Sequence, residues 1–306
     1  MVRLGISTTA APDRWPALAR NLESMGFDVL HLADHLVDDV APPIAGLLAA
    51  AEATERLVVG NLVLAVDFRH PAVVAREAAM LAVLSGGRYE LGIGAGHARA
   101  EWESIGVPFD ADRVRVDRLA EAVPLLRRLL AGEEITHDGD HYRLRAHRCW
   151  PVPETPVPLL VGGNGDRVLR LAAEHADIAG FTGFGLGPDG APRLTHFTSG
   201  GLAERIAHVR AEAGHDRTRL QVLVQRVTIT PDRRAAAREL ASAFGGADLD
   251  DILDSPFLLL GTHEQIAEQL RERSARFGVE TWTVFGNLPG LGQPNDLLAP
   301  VIELLR

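Results

Sequence analysis

Three short stretches of this chain hold residues able to exchange protons or grip an anion, and each closes an apolar run. Asp34-His35 follows Val29 to Leu32. A carboxylate beside an imidazole suits proton transfer, because free histidine titrates near ~6.5 and gives or takes a proton around neutrality. Gly94-Ala95-Gly96-His97 follows the run Tyr89 to Ile93. Glycine lacks a Cβ, so the main chain there stays bare and a flat ligand can lie against it. Gly162-Gly163-Asn164-Gly165 stands directly before a helical pattern, where free amides and the positive end of the helix dipole hold a phosphate. The catalytic candidates are therefore His35 and Asp34, with His97 at the lip of the glycine turn, and the three stretches together suit a flat phosphorylated cofactor beside a small-molecule substrate. Metal chemistry is not indicated: the 12 histidines are scattered, and His137 and His141 fall in a hairpin and read as surface residues. Neither a G-x-S-x-G elbow nor a Walker loop occurs.

These stretches are distant in sequence and need a scaffold that brings them to one rim. Val2 to Ser7 is an apolar strand, and Arg14 to Met25 carries Trp15, Leu18, Leu22 and Met25 at helical spacing up to Gly26. Val29 to Leu32 and Ile44 to Ala53 repeat the strand and the helix. Leu57 to Leu64, LVVGNLVL, is apolar on both faces, as a parallel strand covered on each side must be, and Ala72 to Leu84 follows Pro71 as a helix. Beyond Tyr89 to Ile93 come helices at Ala98 to Ser104 and Arg113 to Leu130, and on the second of these Arg113, Arg115 and Arg118 read as a solvated face. A hairpin at about 135–145, turning at Asp138-Gly139, interrupts the series. Strands at Leu159 to Val161, Ile178 to Phe181, Leu220 to Thr230 and Thr281 to Phe285 then alternate with helices, the last running from Leu297 to Leu305. The stretch at about 182–201, rich in Gly, Pro and Thr, reads as a long variable loop.

Eight strands, each followed by helix and with no break in composition, predict one α/β domain over residues 1–306, a (β/α)8 TIM barrel with insertions. An open doubly wound sheet fits less well, because its dinucleotide fingerprint would stand on the first strand-to-helix turn and Gly5-Ile6-Ser7-Thr8-Thr9 lacks it. In a barrel the active site lies at the mouth formed by the C-terminal strand ends, where all three stretches fall.

Hydrophobic residues make up 46% and charged residues 24%, ordinary values for a soluble globular protein. A net charge of −10 argues against nucleic acid or an acidic membrane surface as partner. No apolar run approaches the ~20 residues of a membrane span, and the N-terminus passes into a strand without a signal-peptide pattern, so a cytoplasmic protein is expected. The single Cys149 can form no intrachain disulfide and reads as a small buried side chain.

The sequence also resembles a known family. ADHL at 33–36, DFRHPAVVAREAAML at 67–81, LSGGRYELGIGAGHARAEWESIGVPFD at 84–110, RVDRLAEAVPLLRRLL at 115–130, PVPLLVGGNGDRVLRLAAEHADI at 156–178 and LLLGTHEQIAEQL at 258–270 resemble the luciferase-like monooxygenase superfamily, and within it the oxidoreductases that use the deazaflavin coenzyme F420. The resemblance implies a hydride transfer between F420 and a small organic substrate, with His35, beside Asp34, near the reactive carbon of the ring. It implies that the third strand bulges at about Leu62, Val63 and Ala65 under that ring, in relatives through a cis non-proline peptide. Gly94, Ala95, Gly96 and His97 would line the ring, and Gly162, Gly163 and Asn164 would take the phosphate. One departure stands out: the sugar-phosphate dehydrogenase of this branch carries a catalytic glutamate where His97 stands here, which speaks against that sugar as substrate and makes His97 a catalytic candidate, as an acid or a substrate-orienting group. The resemblance further implies a homodimer. The alternatives are an FMN-dependent monooxygenase on the same barrel and a barrel that binds such a cofactor without turnover.

Overall fold

The structure is a computed structural model and describes residues 2–8, 12–36, 41–186, 192–213, 217–286 and 295–306. Eight parallel strands form the inner wall: β1 Arg3–Ser7, β2 Val29–Leu32, β3 Val58–Asn61, β4 Tyr89–Gly94, β5 Leu159–Gly162, β6 Ile178–Thr182, β7 Arg219–Leu223 and β8 Val279–Phe285. β1 pairs with both β2 and β8, the pairings run on around the ring, and β3 meets β4 at Val59↔Tyr89 and Gly60↔Glu90, which closes the barrel. The helices that cover it and position the site are α1 Trp15–Met25, α2 Pro43–Ala53, α3 Pro71–Leu84, α4 Arg99–Ser104, α5 Asp112–Leu130 and α6 Asp166–His175. The later helices are α7 Ser199–Ala213, α8 Arg233–Ala243, α9 Leu249–Asp254, α10 His263–Phe277 and α11 Ala299–Leu305. Gly26 ends α1 in the left-handed region at φ 90°, as its place after the last apolar residue predicts, and Thr262 and Gln265 form a capping box at the start of α10. Among the described residues no helix is long and apolar enough to cross a membrane.

Five expectations are corrected. The run Leu57 to Leu64 is not one strand: β3 stops at Asn61, and Leu64–Ala65 rejoins β4 at Ile93 and Gly94. The run Leu220 to Thr230 also divides, because β7 ends at Leu223 and Arg226–Ile229 leaves the barrel to pair with Leu258–Gly261, a strand not read from the sequence. The loop at 182–201 contains an antiparallel pair, Phe184–Leu186 with Pro192–Leu194, while 187–191 lies outside the described residues. Of the three arginines expected on a solvated face, only Arg113 lies there; Arg115 is buried and Arg118 is tied to Asp67 at 3.0 Å. The hairpin, at Ile135–Asp138 and Arg143–His147, is held to α5 by Glu121, which bonds His137 Nε2 at 2.9 Å, so His137 is half-buried rather than a surface residue.

The barrel interior is polar. Glu90 of β4 meets Arg3 of β1 at 3.3 Å and Arg219 of β7 at 3.5 Å; these strands are not neighbours, so the ion pairs cross the lumen at its N-terminal end. Above them the His31 ring fills space left by Gly5 and Gly60, where a Cβ would approach it to 3.2 Å, and its Nδ1 lies 3.1 Å from Thr283 Oγ1. Gln221 donates to the same hydroxyl at 3.0 Å.

Burial, the largest cause, pushes the His31 imidazole down to about 4; the Glu90 carboxylate offsets part of this and Arg3 adds to it. The unfolded chain binds this proton near ~6.5, so the stabilisation is full above that pH and is lost as pH falls toward 4, up to about 3 kcal/mol. Urea denaturation across that window should show falling stability, with a shallower slope in His31→Gln; an equal slope in both proteins would refute the assignment.

Candidate functional site

The third strand builds the floor of the mouth. Between the pairs Gly60↔Glu90 and Leu64↔Ile93, three residues (Asn61, Leu62, Val63) stand opposite two (Leu91, Gly92), which is a bulge. The Leu62–Val63 peptide within it is cis. Gly92 admits it: a Cβ there would lie 2.0 Å from the Asn61 carbonyl oxygen. The Val63 side chain then projects against the ends of two strands, for a Cβ on Gly94 would come within 2.7 Å of it and one on Gly162 within 3.1 Å. Val63 thus brings the bulge against Gly94 and Gly162, and Ala65 pairs with Gly94 beside it.

Asp34 and His35 leave β2 together but face different partners. Asp34 is buried; its carboxylate accepts from both terminal nitrogens of Arg69, at 2.5 and 3.2 Å, and from the Ala65 amide at 3.2 Å. It fastens the far side of the bulge. His35 turns instead to Glu101, whose Oε1 lies 2.7 Å from Nδ1, while Glu101 Oε2 accepts from the Leu36 amide at 3.0 Å. A carboxylate only accepts, so Nδ1 carries the proton and Nε2 is the exchangeable position of the ring.

Glu101 is placed by α4, and α4 by Trp102. That indole is buried, donates to Asp67 Oδ2 at 3.1 Å and packs on Phe68 with ring centres 4.3 Å apart. It also explains Gly96, whose φ is 74° and where a Cβ would lie 2.3 Å from the indole. Arg115 stacks on Phe109 at 3.9 Å and donates to the Asp110 carbonyl at 2.6 Å, bracing the segment that follows α4. His97, past Gly96, opens to solvent with its ring edge-on to His35 and the centres 5.4 Å apart. Desolvation by surrounding protein atoms, then His35 and Arg115, lower the His97 imidazole below its ordinary value, with Glu101 opposing.

The glycine turn after β5 is more occupied than its sequence suggests. The Gly163 amide donates to the Gly180 carbonyl at 3.1 Å, and the Asn164 side chain is bonded to Thr182 and to Thr195 Oγ1 at 3.3 Å. The next residues offer the open donors: Gly165 at the N-cap of α6 has no side chain to satisfy the first amides, and a Cβ there would meet nothing within 4 Å. Asp166, the one acid in that first turn, is neutralised by Arg205. An anion thus fits at the start of α6, one to three residues beyond the expected Gly162, Gly163 and Asn164.

Sequence reasoning missed Glu101, Arg69, Arg115 and the tie between Asp67 and Trp102. Glu101 gave no signal of its own, because His97 stands before α4 begins and the partner it finds, His35, is distant in sequence.

A closed barrel with a bulged third strand, a bare glycine wall and an uncapped helix end at its mouth is a scaffold for a flat, anionic ligand. The chain belongs to the luciferase-like monooxygenase family, whose model matches residues 2–248. It is 37% identical to the F420-dependent glucose-6-phosphate dehydrogenase of Beutenbergia cavernae over 187 residues, 58% of this chain and 55% of that protein. The chain spans about half the length of the curated relatives it matches. Among solved structures, an F420-dependent secondary alcohol dehydrogenase in complex with an F420-acetone adduct superposes with a TM-score of 0.78 at 22% identity, covering 100% of this chain and 99% of that one. A monooxygenase from Streptomyces bottropensis gives 0.72, also at 22% identity, covering 99% and 97%. Likeness at this identity establishes the fold.

Proposed function

We propose that this barrel is an F420-dependent oxidoreductase that passes a hydride between the deazaflavin and a small organic substrate. The observation that carries the reading is the His35–Glu101 pair beyond the end of β2, at the same end of the barrel as the bulged, glycine-walled third strand. The similarity to F420-dependent dehydrogenases supports F420 over FMN. When bound, the deazaflavin supplies the carbon centre that gives or accepts the hydride. Leu62, Val63, Ala65, Gly94, Ala95 and Gly96 would lie along its ring, and the open amides at the start of α6, just beyond the turn from Gly162 to Asn164, would hold its phosphate. His35 would move the proton at Nε2, His97 would orient the substrate as a neutral hydrogen-bonding group, and Asp34 would act by holding the bulge through Arg69 and Ala65. The whole chain would work as one domain, in a reducing compartment such as the cytoplasm that suits the buried, unpaired Cys149.

Titrating the purified protein with F420 and with FMN tests this directly. Saturable F420 binding, and loss of the deazaflavin's visible absorption with a reducing substrate, are expected; tight FMN binding with oxygen uptake would refute the cofactor assignment. Glu101→Ala should lower kcat about 100-fold by releasing the His35 ring, with KM and F420 affinity little changed, and Glu101→Gln should recover part of the loss because its amide oxygen still accepts from Nδ1–H. Equal kcat in all three proteins would remove Glu101 from the mechanism.

We further propose a homodimer built on α2 and α3. Val73, Met80 and Leu84 of α3 are 48, 37 and 47% exposed. They line one groove with Ile44 and Leu48 of α2, and Arg76 and Glu77 lie in the same groove as groups of opposite sign for a two-fold contact. Light scattering should give twice the chain mass, and Met80→Asp should give the monomer; a monomeric parent would refute the interface.

A further inference from the structure

We propose that the substrate taken at His35 is uncharged, a neutral alcohol, ketone or imine, and that the site excludes phosphorylated compounds. The proposal rests on the hydride-transfer reading above. Its ground is the charge inventory of the mouth. The chain contains no lysine, so every fixed cation is an arginine. Those near the mouth already hold carboxylates: Arg69 holds Asp34, Arg118 holds Asp67 and Asp110, Arg115 holds Asp112 at 3.0 Å, Arg99 reaches Glu103 at 3.7 Å and Arg205 holds Asp166. Arg193 and Arg226 also have partners.

On the opposite flank the strand ends present neutral groups. Gln225 donates to Thr182 Oγ1 at 2.8 Å, and Asn164 is bonded to Thr195. Against this neutral lining stands the Glu101 carboxylate, 2.7 Å from His35.

A phosphate monoester carries about −1.5 to −2 charge at neutral pH, and an anion taken from water needs a compensating cation or several donors. The open amides at the start of α6 could supply such donors, but the reading above gives them to the cofactor. A carbonyl or hydroxyl needs less: one group to exchange a proton, which is His35 Nε2, and neutral partners such as His97 and Gln225.

The test uses the full chain loaded with F420. Cofactor binding is first followed by quenching of F420 fluorescence, independently of any substrate. The loaded protein is then offered propan-2-ol, cyclohexanol, glucose and glucose 6-phosphate, and the reduced form cyclohexanone. In parallel, glucose 6-phosphate and inorganic phosphate are titrated against the bound cofactor's absorption. An uncharged compound should be turned over with a KM indifferent to salt between ~0.05 and ~0.5 M. Glucose 6-phosphate should show at least about 100-fold lower kcat/KM, and neither anion should perturb the spectrum saturably. Comparable or better turnover of glucose 6-phosphate, or saturable binding of either anion to the loaded protein, overturns the proposal while leaving the cofactor assignment standing. Failure to bind F420 overturns both.

Discussion

Replacing His35 with alanine should lower kcat by about 10²- to 10⁴-fold, the range spanned by loss of a positioned acid or base, while F420 affinity changes by no more than a few-fold. The separation follows from geometry. His35 contacts the protein through Glu101 alone among its described side-chain hydrogen bonds, and the bulge is fastened by Asp34, Arg69 and the Ala65 amide, none of which His35 touches. Alanine therefore deletes the exchangeable Nε2 without loosening the floor. Steady-state turnover and fluorescence titration on the same preparations decide it. Undiminished kcat would show that the proton travels by another route, and joint loss of turnover and binding would show that the ring supports the floor after all.

The second large effect is structural. Gly92→Ala should destabilise the protein by about 3 kcal/mol or more, because its Cβ would stand 2.0 Å from the carbonyl oxygen and 2.9 Å from the carbonyl carbon of Asn61. Both atoms are main chain and cannot rotate away. Asn61 is itself pinned, since its side-chain oxygen accepts from the Tyr89 hydroxyl at 2.5 Å and the residue is buried. Relief requires β3 and β4 to separate where the bulge is formed, so F420 binding should weaken along with the fall in melting temperature. Gly200→Ala is the matched control: it lies in α7 with only Thr198 Oγ1 nearby, at 3.9 Å, and should be neutral or slightly stabilising. Equal melting temperatures for Gly92→Ala and the parent would show that the two strands yield more easily than their geometry implies.

Much of the architecture was legible because parallel strands buried on both faces read as unbroken apolar runs, and helices announce themselves by caps and breakers. Val29 to Leu32 matched to the residue. What could not be read were contacts made across the barrel or across long stretches of chain. Glu101 looks like any acid on a helix surface until the fold carries it 66 residues back to His35. Arg115 and Arg118 look like solvated residues until Phe109, Asp67 and Asp110 are folded against them. The run Leu220 to Thr230 reads as one strand because apolar and β-branched residues recur throughout it, although the phase of its alternation flips at Gln225-Arg226, where the chain leaves one sheet and enters another. The bulge at Leu62–Val63 gives no sign in hydropathy, and only the family likeness pointed to it.

The salt-bridged Arg3–Glu90–Arg219 trio and the imidazole of His31 above it stopper the lumen from below. The barrel is a cup rather than a pipe. Whatever enters must leave by the same doorway, so the reactant that lies deepest has to arrive before the one that covers it and depart after it.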